Sequence, residues 1–134
     1  MHVAEKFERG DVMSTACPSR EVLSHIASRW GVLVLIALEP GTHRFSELKR
    51  KIGGVSERML AQTLQQLQGD GLIHRVAYAV VPPHVEYTLT PLGQEAAAHI
   101  RGLSDWIADS LPRIRSAQEQ YAQAPGKLTA NAPA

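Results

Sequence analysis

The segment from Phe45 to Leu89 constrains the fold more than any other part of the chain, because turn residues divide it at short intervals. A first helix with one apolar face, ended by a glycine turn, is indicated by Phe45, Leu48, Ile52 and Gly53-Gly54. Ser56 is a suitable N-cap for a second helix, which runs to about Gln68 and ends at Gly69-Asp70-Gly71. The spacing predicts two short helices joined by a tight turn.

A hairpin is predicted after these helices. The stretches from Leu72 to Val81 and from Val85 to Leu89 are rich in strand-forming residues, and Pro82-Pro83-His84 connects them. Helix, turn, helix and hairpin in this order predict a winged helix-turn-helix, a mainly α fold with a small β-hairpin wing (α+β). His84 is expected at the wing tip, where it can contact a DNA phosphate, although a structural turn residue is the simpler role.

Further helices are predicted on both sides of this segment. Cys17 precedes Pro18, which suits the first position of a helix, and the apolar spacing continues as one helix to Glu39-Pro40-Gly41. Thr90-Pro91 starts a long final helix, which Pro112 is expected to kink or divide. The apolar final helix, which includes Trp106, is a candidate for a contact between subunits, although it can also pack on the first helix.

Length and composition fit a single globular domain. The 134 residues, of which 44% are hydrophobic, are enough to bury a core. We expect an N-terminal arm over residues 1–16, the domain over 17–122 and a flexible Ala/Pro-rich tail over 123–134. The first 16 residues hold no apolar run, and no stretch approaches the roughly 18 apolar residues of a membrane span. We therefore expect a cytoplasmic protein without membrane contact.

Positive charge is concentrated in one segment. The formal net charge is only +1, but the segment from His43 to Arg58 carries five basic and two acidic residues, 5 − 2 = +3, which leaves −2 elsewhere. A local basic patch of this kind favours contact with nucleic acid.

The second helix has an outward row of side chains that can read DNA bases. Leu60, Leu64 and Leu67 form its apolar stripe, and the opposite face carries Arg58, Gln62 and Gln65. Arginine can donate two hydrogen bonds to guanine, and glutamine can pair with adenine, in the major groove. The same residues are also good helix formers on any solvated face, so the row alone does not decide between the two interpretations.

Several motifs occur together between Cys17 and Trp106. In order they are Cys17-Pro18, Phe45-Ser46-Glu47-Leu48, Val55-Ser56-Glu57-Arg58-Met59-Leu60, Gly71-Leu72-Ile73 and Pro82-Pro83-His84-Val85-Glu86-Tyr87-Thr88-Leu89-Thr90. Their order and spacing resemble the HxlR family of bacterial, MarR-like winged-helix transcriptional regulators. The chain departs from the family pattern at Ala27-Ser28-Arg29-Trp30, where the family commonly has Gly-Gly-Lys-Trp.

The resemblance implies a homodimer held by terminal helices, with the second helix of the motif as recognition helix and residues 78–85 in the wing. Physical reasoning leads to a homodimer as well, since two recognition helices about 34 Å apart can read successive major grooves of double-stranded DNA. The expected operator is therefore an inverted repeat. We expect Arg58, Gln62 and Gln65 to specify bases, and the phosphate contacts to come from Lys49, Lys51 and Ser56.

Cys17 is the only cysteine and offers the most distinctive chemistry for regulation. At a helix N-terminus, an exposed thiolate can be oxidised, alkylated by a quinone or joined to the partner's Cys17. Some members of the family that the chain resembles sense oxidants through such a cysteine. Alternatives stay open, because Cys17 can be an inert structural residue while a non-covalent small-molecule effector, or no ligand, controls the protein.

No enzymatic site is predicted. The histidines lack metal-ligand spacing such as HExxH, no glycine-rich phosphate loop is present, and we expect no metal, cofactor or catalytic residue. A winged helix that binds only proteins is a third class, and its activity would survive replacement of Arg58 and Gln62. The sequence favours a homodimeric repressor that releases a palindromic promoter element when Cys17 is modified.

Overall fold

The computed structural model describes residues 11–125 and confirms a mainly helical winged helix-turn-helix fold. In chain order its elements are α1 (Pro18–Ile26), α2 (Arg29–Leu38), β1 (His43–Arg44), α3 (Phe45–Lys51), α4 (Glu57–Gly69), β2 (Ile73–Tyr78), β3 (His84–Leu89) and α5 (Pro91–Gln123). Most of the expected N-terminal arm and of the C-terminal tail lie outside the described residues. The described residues divide into two compact units, with the boundary between Ile100 and Arg101.

The apolar stripe of α4 is the centre of the core. Leu60, Leu64 and Leu67 are at most 1% exposed, as the spacing of the sequence predicts. They pack in one cluster with residues of α2, α3 and the sheet, among them Val34, Leu35, Leu38, Leu48, Ile73 and Leu89. Burial of one such leucine contributes about 1.5–3 kcal/mol, so this face of α4 is held firmly inward.

The sheet has three antiparallel strands in the order β1-β3-β2. The predicted hairpin is confirmed, and its last pair joins Tyr78 to His84. The additional strand β1 pairs His43 with Tyr87 and Arg44 with Glu86. Two residues are too few to show an alternating pattern, so β1 was not predicted, yet it connects the start of α3 to the wing.

The single helix expected between Cys17 and Glu39 is wrong, because the chain forms two helices, α1 and α2, bent by 69°. Ser28 causes the break. Its hydroxyl accepts the backbone N–H of Gly31 at 3.0 Å, and the same hydroxyl donates to the carbonyl of His25 at 3.0 Å. Serine competes in this way with helix hydrogen bonds, whereas the apolar spacing continues across the break.

Of the two outcomes expected at Pro112, a kink or a division of the final helix, the division is wrong, since α5 continues through Pro112 from Pro91 to Gln123. Proline removes only one backbone donor. The residues on both sides include many good helix formers, which continue the helix beyond that missing bond.

Within residues 11–125, no single helix is both long and apolar enough to cross a membrane. Only α1 and α2 taken as a bent pair satisfy the length and composition requirement. Half of α2, including Val34, Leu35 and Leu38, is buried in the core, which accounts for its apolar composition.

The bend between α1 and α2 generates a stability prediction. A Cβ atom added at Gly31 would lie 2.1 Å from the carbonyl oxygen of His25, so Gly31→Ala should lower the free energy of unfolding by about 1–3 kcal/mol in urea denaturation. Gly69→Ala is the matched control, because nothing lies within 4 Å of the added atom there. Equal stability of the two variants would contradict the described bend.

Candidate nucleic-acid interface

The outward row of α4 is available for contact. The N-cap Ser56 accepts the backbone N–H of Met59 through its hydroxyl at 3.1 Å, which fixes where the helix begins. Because the leucines face inward, Arg58, Gln62 and Gln65 are exposed, as predicted. Within residues 11–125 their side chains form no hydrogen bond or ion pair, so all their donors and acceptors are free for a ligand.

Lys51 has a structural role that the sequence does not reveal. Its Nζ donates to the carbonyl of Ala37 at 3.1 Å, in the last turn of α2, and lies 3.1 Å from Nε2 of His43. Nδ1 of His43 donates to the carbonyl of Gly41 at 2.8 Å, which leaves Nε2 as the acceptor. The Lys51 ammonium therefore joins α3 to α2 and β1, whereas Lys49 is partly exposed and has no polar side-chain partner within residues 11–125.

The side chain of an acidic residue, Glu47, caps the N-terminus of α3. The backbone N–H of Arg44 donates to Oε1 of Glu47 at 2.7 Å. This hydrogen bond, assisted by the nearby charges of Arg44 and Arg50, lowers the pKa of Glu47. The carboxylate therefore stays ionised at the first turn of α3. The basic side chains around it outnumber the acidic ones, so the segment keeps its net positive charge.

His84 lies at the loop end of the wing, as the first residue of β3 and paired with Tyr78. Its Nε2 donates to Oε2 of Glu86 at 2.7 Å, and the Tyr78 hydroxyl donates to Oε1 of the same carboxylate at 3.2 Å. The rings of Tyr78 and His84 meet edge to face at 4.9 Å. The contacts among Tyr78, His84 and Glu86, called here the wing brace, thus join the two strands beside the loop, and the loop itself is apolar, with Val81 97% exposed.

The wing brace shifts the pKa values of Glu86 and Tyr78. The hydrogen bond from His84 is the main cause that lowers the pKa of Glu86. The charge of Glu86, and then its hydrogen bond, raise the pKa of Tyr78.

Cys17 is the N-cap residue of α1, as expected, but its side chain forms no capping hydrogen bond. The exposed cysteine that the sequence predicts is not observed, because Cys17 is only 4% exposed. Within residues 11–125, His, Cys, Asp and Glu side chains form no cluster that could hold a metal ion.

A long-range contact connects α1 to α4. Nδ1 of His25, in the last turn of α1, donates to Oδ2 of Asp70, the C-cap residue of α4, at 2.7 Å. Both side chains are mostly buried, with 20% and 16% exposure. The two residues are 45 positions apart, so no local sequence pattern could have indicated this pair.

The wing brace predicts a titration result. Glu86→Gln removes the negative charge beside Tyr78 and should lower the Tyr78 pKa toward its ordinary value of about 10, as measured by phenolate absorbance. His74→Ala, on the same strand as Tyr78, is the control and should leave the titration unchanged. An identical tyrosine titration in wild type and Glu86→Gln would show that the brace does not form in solution.

Comparisons with known proteins agree with this architecture. The HxlR-like helix-turn-helix family profile matches residues 25–115. The uncharacterized HTH-type transcriptional regulator YtfH of Escherichia coli (strain K12) is 54% identical over 120 residues, which cover 90% of this chain and 95% of that protein. The solved structure of ytfH from Salmonella typhimurium has a TM-score of 0.79 and 58% identity, covering 83% of this chain and 99% of that one.

A redox regulator is also among the similar structures. HypR in its reduced form has a TM-score of 0.68 and 30% identity, covering 75% of this chain and 99% of that one. In its oxidised form HypR has a TM-score of 0.64 and 32% identity, with coverage of 69% and 96%. Transcriptional regulators of this type are DNA-binding proteins and not enzymes. The chain belongs to the HxlR-like helix-turn-helix family of transcriptional regulators.

Proposed function

We propose that the protein is a repressor that binds an inverted-repeat promoter element as a homodimer, with α4 as the recognition helix. The observation that carries this proposal is the exposed row Arg58, Gln62 and Gln65, which has no polar partner within residues 11–125 and lies opposite a fully buried stripe. Arginine and glutamine on a rigid helix match the guanine and adenine edges of the major groove. These three residues specify bases.

Phosphate contacts come from the start of α4 and from α3. Ser56 lies where the backbone N–H groups of the first helical turn face outward, a position that favours a phosphate. Lys49 has no polar side-chain partner within residues 11–125 and is free to supply a cation. Lys51 supports binding indirectly, because its bonds to Ala37 and His43 hold α3 in place. His84, bonded to Glu86, contributes at most a weak phosphate contact.

The homodimer is supported by an apolar stripe on α5. Leu103, Trp106, Ile107 and Leu111 recur at helical spacing and are between 38% and 56% exposed. A stripe of this size on a helix is typical of a surface that another chain covers. A dimer places two copies of α4 on one DNA duplex, and this symmetry requires an inverted repeat.

Replacement of Arg58 tests base recognition. Arg58→Ala should weaken binding to the cognate duplex by about 1–3 kcal/mol, roughly 5-fold to 150-fold, and affect a random duplex much less, because a bidentate guanine contact is lost. Fluorescence anisotropy on DNA from upstream of the gene, at fixed salt, measures both affinities.

Lys49→Ala is the matched control for this experiment. Loss of a phosphate contact should weaken binding equally on both duplexes. The proposal of base reading by Arg58 fails if Arg58→Ala also weakens both duplexes equally, and the proposal of DNA binding fails if the wild type binds neither.

For the control of binding, we propose oxidation of Cys17. The thiolate would lose two electrons to a peroxide, forming sulfenic acid as the peroxide O–O bond breaks and hydroxide leaves. Because Cys17 is buried, an added oxygen or a bonded partner requires the start of α1 to move. The opposite end of α1 is bonded through His25 to the C-cap of α4, which provides a route to the recognition helix. The similarity to a redox regulator, HypR, supports this proposal.

Cys17→Ser tests the redox proposal. Peroxide should weaken wild-type binding to the cognate duplex several-fold and a thiol reductant should restore it, because Cys17 is the only thiol in the chain. Cys17→Ser should bind the cognate duplex with wild-type affinity, and peroxide should not change that affinity. If peroxide leaves wild-type affinity unchanged, Cys17 is structural, and a non-covalent effector becomes the better account of regulation. Non-reducing gel electrophoresis distinguishes a disulfide between subunits from oxidation of single chains.

A further inference from the structure

A polar cleft separates α4 from the sheet. One wall is a stripe along α4 and the other is a cross-strand pair of the wing, and the lining residues are Ala61, Leu64, Gln65, Gln68, Arg75 and Tyr87. The cleft has a volume of about 380 Å³. All of its lining residues precede Ile100 and belong to one compact unit.

The strand register places Arg75 at the edge of the core. Arg75 pairs with Tyr87, and two positions further along Ile73 pairs with Leu89. Because alternate residues of a strand share a face, these four side chains lie on the side of the sheet that packs against α4. Ile73 and Leu89 are 2% and 7% exposed, whereas Arg75 is exposed. Arg75 therefore lies where this face of the sheet leaves the core and meets solvent.

The cleft offers donors and one positive charge. Within residues 11–125, the guanidinium of Arg75 forms no hydrogen bond or ion pair, and the side-chain amides of Gln65 and Gln68 and the hydroxyl of Tyr87 form none either. None of the lining residues is acidic. An unpaired guanidinium among neutral donors, without a competing carboxylate, favours an oxyanion as ligand.

We propose that this cleft binds a phosphate of the DNA backbone, with Arg75 as its main ligand. The inference rests on the proposed DNA binding by α4. Gln65 belongs both to the outward row of α4 and to the cleft, so the cleft borders the surface that faces the major groove. A DNA backbone that follows the edge of this groove on the side of the wing would pass the mouth of the cleft. The arginine fork can donate two parallel hydrogen bonds to such a phosphate.

Arg75→Ala should reveal the phosphate contact by its salt dependence. Affinity should fall about 10-fold to 100-fold on cognate and random duplexes alike. The slope of log affinity against log salt should decrease by about 0.9, the value for one phosphate contact. Arg75→Lys keeps the charge and should keep the slope, with affinity between that of the wild type and that of Arg75→Ala.

Arg115→Ala is the matched control, since it removes the same charge from an exposed position on α5. This variant should retain wild-type affinity and slope. Thermal unfolding of each variant shows whether it folds, and Arg75→Ala is expected to fold because the side chain has no polar partner within the described residues.

A neutral phosphate identifies the contact more directly. Duplexes that carry one methylphosphonate at successive backbone positions should bind the wild type more weakly at one phosphate per half-site. At that position Arg75→Ala should bind the methylphosphonate and normal duplexes equally well, because the interaction is already absent.

The outcomes separate this proposal from the proposed function. An unchanged salt slope in Arg75→Ala, together with lost base preference in Arg58→Ala, overturns the phosphate site and leaves DNA binding by α4 intact. A loss confined to the cognate duplex makes Arg75 a base contact and also overturns the proposal. If inorganic phosphate binds the DNA-free wild type through Arg75 while DNA affinity does not depend on Arg75, the cleft is a site for small anions instead. Absence of any wild-type DNA binding rejects the proposed function itself.

Discussion

The burial of one leucine stripe on α4 determines what the rest of the molecule can present. Leu60, Leu64 and Leu67 are almost completely buried against α2, α3 and the sheet. Rotation of α4 about its axis would expose these leucines, at a cost of several kcal/mol. The orientation of Arg58, Gln62 and Gln65 therefore follows from core packing, although none of the three contributes to that core. A helix fixed in this way does not lose rotational freedom when it binds a ligand.

Polar contacts then fix the elements around α4. Lys51 connects α3 to the Ala37 carbonyl in the last turn of α2, where a cation is favoured by the helix dipole. His25 connects α1 to the C-cap of α4. These two contacts restrict movement of α3 and α1 relative to the core without adding apolar surface. They also use side chains that, judged from sequence alone, are equally suited to contact DNA or solvent.

The spacing of apolar and turn residues predicted the features of the fold that short stretches of sequence determine. The limits of α4, the hairpin and the outward row on α4 all follow from apolar periodicity and from turn residues, and the structure agrees with them. The break at Ser28 was missed because the apolar spacing continues through it, and β1 is too short to have a pattern. The partners of Lys51, His84 and His25 depend on tertiary contacts, so sequence could identify these residues but not what they bind.

The distribution of unpaired charge explains why this small interface suits a dimer. Of the cations and histidines near α4, Lys51 and His84 are occupied by internal partners, and the wing tip between Tyr78 and His84 carries no charge. The positive groups left for phosphate contacts lie on α3, α4 and β2, and each contact gains affinity mainly through release of a counterion. In the proposed homodimer, two subunits on one inverted repeat would double the phosphate contacts and the base contacts together, so affinity would be highest where both half-sites are present.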